Sequence, residues 1–169
     1  APSPALQEAR EAARADQWEV LSNGTTALLA FLTRTMQASS VVTIGTDAGV
    51  SALALLEGMS DHGVLTSIDP DAERQAAARK VLSLARIRSN QVRLITGTPL
   101  DVLPKLRDGA YDMVLINGDR LEYVEYVSQA LRLLRTGGIV VVNDALANNH
   151  VADPDNEDDD TLIIRETLD

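Results

Sequence analysis

The stretch that decides the fold is Val41-Val42-Thr43-Ile44-Gly45-Thr46-Asp47-Ala48-Gly49-Val50-Ser51. Its β-branched start favours a strand, and its small residues favour a tight turn into a helix. A strand, a glycine turn and a helix N-terminus direct backbone N–H groups and a helix dipole towards a bound ligand. Asp69 closes the next predicted strand, where nucleotide-binding folds place an acid for ribose hydroxyls. The stretch therefore predicts a site for a nucleotide-like cofactor.

Strands and helices alternate regularly from this stretch onward. Strands are predicted at residues 40–45, 63–69, 91–96, 111–117 and 138–143, and helices near 49–59, 71–86, 99–106 and 120–134. This alternation predicts right-handed βαβ units and an α/β fold with a doubly wound, mostly parallel sheet. The expected strand order is 3-2-1-4-5, with ligands at the carboxyl ends of the first and fourth strands.

A chain of 169 residues predicts a single domain. Its expected parts are two leading helices in residues 1–38, a core at 40–144, an acidic mobile loop at 145–160 and the start of a helix at 161–169. The first leading helix covers residues 4–14, and Ser22 or Asn23 caps the second. The helix after the fourth strand carries an apolar stripe of Leu121, Val124, Val127, Leu131 and Leu134 and is predicted to stop at Gly137-Gly138.

The fifth predicted strand contains an entirely apolar run at residues 139–142. In the order 3-2-1-4-5 this run forms an exposed sheet edge, which proteins in water avoid. We therefore expect further C-terminal strands, missing from this sequence, or a partner to cover it. The bare edge and the leading helices together predict a homodimer.

Composition excludes several classes of site. The chain has no cysteine, which removes thiol nucleophiles, disulfides and cysteine-bound metals. Two histidines are too few for a histidine metal site, and a net charge of −10 disfavours nucleic acid. The acidic run 153–160 lacks the glycine and spaced ligands of a calcium loop, so a solvated loop is predicted. With no signal peptide and no membrane-spanning segment predicted, we expect a cytoplasmic enzyme.

The glycine turn does not fit two common phosphate-binding patterns. A dinucleotide fingerprint needs glycines at positions 45, 47 and 50, and this chain has Asp47 and Val50 at the last two. A phosphate-binding loop ends in Gly-Lys-Ser/Thr, and no lysine lies between Val41 and Arg79. The remaining possibility is a looser turn that holds an amino acid and a ribose, as in methyltransferases.

Residues 42–55 resemble the first motif of S-adenosylmethionine-dependent O-methyltransferases of the catechol and caffeoyl-CoA type, most closely actinobacterial members. The resemblance continues through residues 63–70, 92–100, 111–120 and 134–144. It implies a Rossmann-like class I methyltransferase fold and methyl transfer from S-adenosyl-L-methionine to a hydroxyl of a small-molecule acceptor. The alternative is a non-catalytic member that binds the cofactor but has lost the metal-dependent chemistry.

The resemblance also implies which residues contact the cofactor. Gly45, Thr46 and Gly49 would admit the methionine end, with Ser51 at its carboxylate, while Asp69 would bind the ribose. The full predicted set is Leu21, Thr43, Gly45, Thr46, Asp47, Gly49, Ser51, Asp69, Pro70, Gly97, Thr98, Asn117 and Asp119. Asp69 as a simple helix cap, and the two turn glycines as ordinary turn residues, are the alternatives.

Two positions depart from the family pattern, which has an acid in place of Thr43 and a glycine in place of Asp47. The lost acid would have faced the cofactor's ammonium group. We hypothesise that Asp47 replaces it from the other side of the turn, since aspartate tolerates unusual backbone angles.

The reaction centre departs further from the family. The Mg²⁺ ligands of the family correspond to Asn117, Asn143 and Asp144 in this chain. Only one of these three residues is a carboxylate, whereas Mg²⁺ prefers several carboxylate oxygens. Asp119, two residues after Asn117, would supply a second carboxylate if its loop allowed it to contact the ion. The prediction is a degenerate metal site. Arg120 stands in place of the catalytic lysine and can hold an anion but cannot take a proton. Asp144 is the better acid–base candidate, ahead of His150.

Overall fold

Residues 2–168 are described by a computed structural model, and they form helices and strands in regular alternation after two leading helices. The helices are α1 (Pro4–Ala15), α2 (Asn23–Thr35), α3 (Val50–Gly58), α4 (Ala72–Leu84), α5 (Pro99–Val102), α6 (Tyr123–Leu133) and α7 (Asp159–Leu168). The strands are β1 (Ser40–Ile44), β2 (Val64–Asp69), β3 (Val92–Thr96), β4 (Tyr111–Ile116) and β5 (Leu134–Val142).

The five strands form one parallel sheet in the order β3-β2-β1-β4-β5, which confirms the predicted fold class. Successive side chains of a strand point to opposite faces, so Val41 of β1 packs with α1–α4 while Val42 packs with α5–α7. Both faces of β1 and β4 are buried. Their continuous apolar runs follow from this double cover.

The last strand is longer than predicted. α6 ends at Leu133, and Leu134 already pairs with Tyr111 of β4, so Gly137-Gly138 lies inside β5 and does not stop the helix. The ladder shifts register between Tyr111 and Met113, which accommodates the glycine pair. The apolar run Ile139 to Val142 is half-buried at the edge of the sheet within residues 2–168.

Two helix predictions are wrong in detail. The buried face of α6 consists of Tyr123, Tyr126, Ala130 and Leu133, whereas Leu121 and Leu131 of the predicted stripe are 49% and 64% exposed. The tyrosine bodies are apolar enough to form the core face, and a count of aliphatic residues misses them. The predicted helix at 99–106 is α5 followed by a 3₁₀ turn at Leu103–Lys105, because Pro104 lacks the N–H that an α-helix needs.

Local hydrogen bonds hold the start of α2 and the segment that precedes α7. Ser22, one of two predicted caps, accepts a hydrogen bond from the Thr25 N–H at 3.1 Å and begins α2. The segment 145–160, whose mobility stays a prediction, contains turns, and Arg165 of α7 donates to the Asn156 carbonyl at 2.9 Å. α7 begins at Asp159, two residues earlier than predicted. Within residues 2–168, no helix is long and apolar enough to cross a membrane.

Candidate functional site

The turn after β1 has an unusual backbone. Gly45 and Gly49 have φ values of +92° and +95°, and Asp47 and Ala48 have φ values of +54° and +49°. A Cβ on Gly45 would lie 2.2 Å from the backbone oxygen of Asn117 at the end of β4. Glycine is therefore required at residue 45, where the ends of β1 and β4 approach each other. The chain leaves β1 and β4 in opposite directions along the sheet, and ligands of such folds bind at this switch point.

Asp69 ends β2 and faces this turn. Its side chain is 4% exposed, and each carboxylate oxygen accepts one backbone N–H: Thr46 bonds Oδ2 at 2.8 Å and Asp71 bonds Oδ1 at 2.8 Å. Each oxygen keeps a lone pair for a ligand, because a carboxylate accepts about four hydrogen bonds in all. Asp71, not Asp69, is the N-cap of α4, so the simple helix-cap alternative for Asp69 does not hold.

Two adjoining cavities open at the carboxyl ends of the strands, with volumes of about 560 and 480 Å³. They share a wall made by the glycine turn, the end of β2 and the loop after β4. The shared residues are Gly45, Asp69, Arg74, Asn117, Gly118 and Asp119. A ligand can therefore extend from one cavity into the other past Asp69.

Most of the predicted site residues come together around these cavities. Those that line them are Leu21, Gly45, Asp47, Asp69, Pro70, Thr98, Asn117, Asp119, Arg120, Asn143 and Asp144. Gly97, next to Thr98, donates its N–H to the Asp69 carbonyl at 3.0 Å. His150 lies outside both cavities and borders a smaller one beside Arg120 and Asp160.

Four predicted contact residues lie beneath the cavity surface instead. Thr43, Thr46, Gly49 and Ser51 are buried and do not line either cavity. The Ser51 hydroxyl donates to the Thr46 carbonyl at 3.2 Å, and the Thr43 hydroxyl donates to the Gly45 carbonyl at 2.9 Å. These side chains shape the turn, so the expected direct role of Ser51 at a ligand carboxylate is not supported by its position.

Asp47 lies at the surface of the larger cavity and is 6% exposed. Its Oδ2 accepts the N–H of Leu21 at 3.2 Å. Burial raises the pKa of Asp47 to about 7, although the Leu21 N–H and the positive charges of Arg10 and Arg74 act in the opposite direction. A cation placed in the cavity would favour the ionised carboxylate, as expected of a group that faces an ammonium ion.

The ends of β4 and β5 carry a different kind of arrangement. The Asn143 amide Nδ2 donates to Asn117 Oδ1 at 2.9 Å, so the two amides pair with each other. The Arg120 guanidinium forms an ion pair with Asp144 and a second one, at 3.4 Å, with Asp160 of α7. The Arg120 guanidinium thus lies between the carboxylates of Asp144 and Asp160, and all three residues line the larger cavity.

This set of side chains does not fit a magnesium ion. Mg²⁺ binds through carboxylate oxygens and water in octahedral geometry. Here the Asn117 oxygen is used by Asn143, and Asp144 is already paired with Arg120. Among residues 2–168, no group of three or more acidic or histidine side chains is arranged to hold a metal. The predicted metal ligands Asn117, Asn143 and Asp144 are therefore engaged in two side-chain pairs, Asn143 with Asn117 and Asp144 with Arg120.

Several residues that line the cavities were not predicted from the sequence. Arg74 projects from α4 over the Trp18 ring, with 6.0 Å between the guanidinium carbon and the ring centre. Tyr123 lines the larger cavity, and its hydroxyl donates to the Asn143 carbonyl at 3.1 Å. Burial raises the pKa of Tyr123 to about 12. Tyr126 and Glu122 line the smaller cavity. The spacing of Tyr123 and Tyr126, three residues apart at the start of the helix that follows β4, could have indicated from the sequence that they line the site.

Comparison with known proteins agrees with this geometry. Residues 2–168 match the O-methyltransferase family profile. The chain belongs to the O-methyltransferase family. A relative from Mycobacterium tuberculosis, named a probable O-methyltransferase, is 41% identical over 140 residues, which are 83% of this chain and 62% of that protein. The chain thus spans about 62% of the length of the curated relatives it matches.

Solved O-methyltransferase structures share this fold over 99% of the chain. The O-methyltransferase TomG from Streptomyces achromogenes, involved in tomaymycin synthesis and solved in complex with S-adenosylmethionine, is 30% identical. It aligns with a TM-score of 0.91 over 99% of this chain and 77% of its own. A cofactor-bound Mycobacterium tuberculosis protein is also 30% identical, with a TM-score of 0.90 over 99% of this chain and 77% of its own. The resemblance to the family is confirmed.

Proposed function

We propose that this chain binds S-adenosyl-L-methionine and transfers its methyl group to an oxygen of a small-molecule acceptor. The observation that carries the proposal is the position of Asp69 in the wall shared by the two cavities. Its carboxylate is largely buried and is fixed by two backbone N–H groups. Charge-assisted hydrogen bonds from a fixed carboxylate suit a pair of ribose hydroxyls. The bound S-adenosylmethionine of TomG, a relative that covers nearly the whole chain, supports the same cofactor.

The two cavities suggest which part of the cofactor each one would hold. The smaller cavity is lined by Pro70, Thr98 and Tyr126, whose apolar surfaces suit an adenine ring. The larger cavity, with Asp47 and the backbone of Leu21, suits the methionine end. In this placement Asp47 faces the ammonium group, as hypothesised from the sequence.

A binding experiment tests the cofactor directly. We expect titration of S-adenosylmethionine by calorimetry to show one site, and Asp69→Asn to weaken binding by about 100-fold, since two charge-assisted bonds are lost. Asp61→Asn, which removes a similar carboxylate from an exposed loop, is the matched control and should bind normally. Absence of binding by the unmodified protein would overturn the proposal.

The chemistry requires a base and an aligned acceptor. When bound, S-adenosylmethionine supplies an electrophilic methyl group on a sulfonium. In our proposal Asp144, at the carboxyl end of β5, would take the proton from the acceptor hydroxyl, whose oxygen would gain the methyl group as its bond to sulfur breaks and neutral S-adenosylhomocysteine leaves. Arg120 holds Asp144 in place and offsets the neighbouring acidic groups. Placement of donor and acceptor in line supplies much of the rate of methyl transfer, so a metal is not required.

Turnover separates this proposal from a cofactor-binding member without activity. Methyl transfer to catechols and related small hydroxyl compounds is measured by release of S-adenosylhomocysteine. Methylated product would support the enzyme. Tight cofactor binding with no turnover on any acceptor would favour the non-catalytic alternative.

The proposal extends to the oligomeric state of the protein and to the compartment in which it acts. We propose a homodimer, supported by Leu28 and Phe31, whose side chains on α2 are exposed, and by the half-buried apolar edge of β5. Light scattering coupled to gel filtration would give twice the monomer mass. We also propose that the protein acts on a small molecule in the cytoplasm.

A further inference from the structure

The first helix carries a buried arginine. Arg10 is 9% exposed on the face of α1 that otherwise contributes Leu6, Ala9 and Ala13 to the core. Arginine is rarely buried to this extent unless it is paired. The Arg10 guanidinium donates to the backbone carbonyl of Leu21 and, at 3.1 Å, to the Thr26 hydroxyl. Both partners lie outside α1, so Arg10 ties this helix to the segment that enters α2.

Leu21 connects Arg10 to the glycine turn. Its carbonyl accepts from Arg10, and its N–H donates to the Asp47 carboxylate at 3.2 Å. The segment 19–22 also forms one wall of the larger cavity. A single residue therefore joins a buried cation in α1 to a carboxylate at the cavity surface.

We propose that Arg10 is a positioning residue of the cofactor pocket, which fixes the segment 19–22 and, through Leu21, holds the Asp47 carboxylate at the cavity surface. This inference rests on the proposed function, because the affected ligand is the methionine end of S-adenosylmethionine. Arg10 does not line the cavity, and it acts through Leu21 and Asp47 without touching the ligand.

The charges around Asp47 support this role. Arg10 of α1 and Arg74 of α4 both lower the pKa of Asp47, as do hydrogen bonds from the backbone at Leu21 and at Ser51 of α3. Glu19 and Asp69 line the same cavity and carry the opposite charge. Burial is the larger influence and holds the Asp47 pKa near 7, so loss of the Arg10 charge should raise it further.

The test compares two arginines of the same helix. Arg10→Met removes the buried guanidinium, and Arg14→Met removes an exposed one a turn away with the same change in net charge. Carboxyl-carbon NMR follows the titration of Asp47 in the cofactor-free protein, with Asp47→Asn assigning the signal. Calorimetry gives the S-adenosylmethionine dissociation constant between about pH 6 and 8.5, the range that brackets the Asp47 pKa.

We expect Arg10→Met to move the Asp47 titration to higher pH and to weaken cofactor binding by about 10-fold at neutral pH, since a charged hydrogen-bond partner is lost. Binding of the Arg10→Met protein should recover only in part as the pH is raised, because Asp47 ionises but the hydrogen bonds to Leu21 and Thr26 stay absent. Arg14→Met should change neither the titration nor the affinity. Unchanged titration and affinity in the Arg10→Met protein would overturn the inference.

Arg10→Lys is the conservative variant and also serves if Arg10→Met fails to fold. Lysine keeps the positive charge but lacks the fork that holds Leu21 and Thr26 together. It should restore the Asp47 titration and only part of the affinity; wild-type affinity in Arg10→Lys would contradict the positioning role. If the unmodified protein does not bind S-adenosylmethionine, the proposed function fails, while the NMR titration still decides whether Arg10 controls Asp47.

Discussion

The two ends of the larger cavity are built in different ways. At the end that we propose for the cofactor, the carboxylates of Asp69 and Asp47 are fixed by backbone N–H groups of the turn and of neighbouring segments. At the end that we propose for the acceptor, Asn117 pairs with Asn143, and Arg120 pairs with Asp144, so side chains hold one another. The cofactor end is therefore a product of the backbone fold, and the acceptor end is a product of side-chain identity.

This difference predicts that the two ends respond differently to substitution. A backbone-built site tolerates few changes, because the turn must keep its positive φ values and its close approach to β4. A side-chain cluster can exchange a carboxylate for an amide while the sheet beneath it stays the same. The acceptor end is accordingly where activity and substrate class can change without a change of fold.

The largest effect should come from the backbone of the cofactor end. Gly45→Ala places a Cβ 2.2 Å from the Asn117 oxygen at a residue with φ of +92°. We expect the free energy of unfolding to fall by about 3 kcal/mol or more, measured by urea denaturation. Gly109→Ala is the control, since Gly109 also has a positive φ but has no neighbour within 4 Å of the added Cβ, so its cost should be about 1 kcal/mol. Equal costs would mean that strain, not the contact with β4, requires glycine at 45.

The cofactor end was also the part that the sequence predicted best. The strand order, the glycine turn and Asp69 follow from apolar runs and small residues, because backbone geometry restricts which residues can occupy those positions. The acceptor end was predicted as a list of residues but not as an arrangement. Whether Arg120 reaches Asp160 depends on where α7 packs, which no local pattern encodes.

One helix prediction was wrong for a physical reason that the sequence could have shown. The α6 stripe was assigned to leucines and valines, but Tyr123 and Tyr126 bury more apolar surface and take the core face. The contact of Ser51 with a ligand stays a prediction; in the structure its hydroxyl bonds the Thr46 carbonyl, as small hydroxyls at the start of a helix often bond a nearby backbone carbonyl.

The next largest effect should come from the acceptor end and should spare the cofactor. Asp144→Asn removes the proposed base while Arg120 keeps its ion pair with Asp160. We expect kcat with a catechol acceptor to fall by about 100-fold, as is typical for loss of a general base. The dissociation constant of S-adenosylmethionine should stay nearly the same, which calorimetry would check. A wild-type kcat would show that Asp144 does not take the proton, and a large loss of cofactor binding would show that the two ends are not independent.

A smaller effect concerns stability and its dependence on pH. The pKa of Asp47 is about 7 in the folded protein and near 4 in an unfolded chain. The folded state thus keeps a proton that the unfolded state releases, so this group lowers stability as pH rises from about 4 to 7. Asp47→Asn should therefore stabilise the fold by about 1–3 kcal/mol at pH 8, with a gain that shrinks as the pH falls towards 4. Thermal unfolding across this range is the measurement, and a gain that does not vary with pH would contradict it.

The smallest effect is expected from metal removal. Because Arg120 already neutralises Asp144 and the two amides pair with each other, turnover should change by less than about twofold on addition of EDTA or of Mg²⁺. Asn117→Asp combined with Arg120→Ala supplies a second carboxylate and frees the first, and this double variant should bind Mg²⁺ in a calorimetric titration while the unmodified protein should not. Loss of turnover in EDTA, restored by Mg²⁺, would show that the acceptor end still uses a metal despite its amides. In that case the guanidinium of Arg120 would have to leave Asp144 before the reaction, and Arg120→Ala would tighten Mg²⁺ binding on its own.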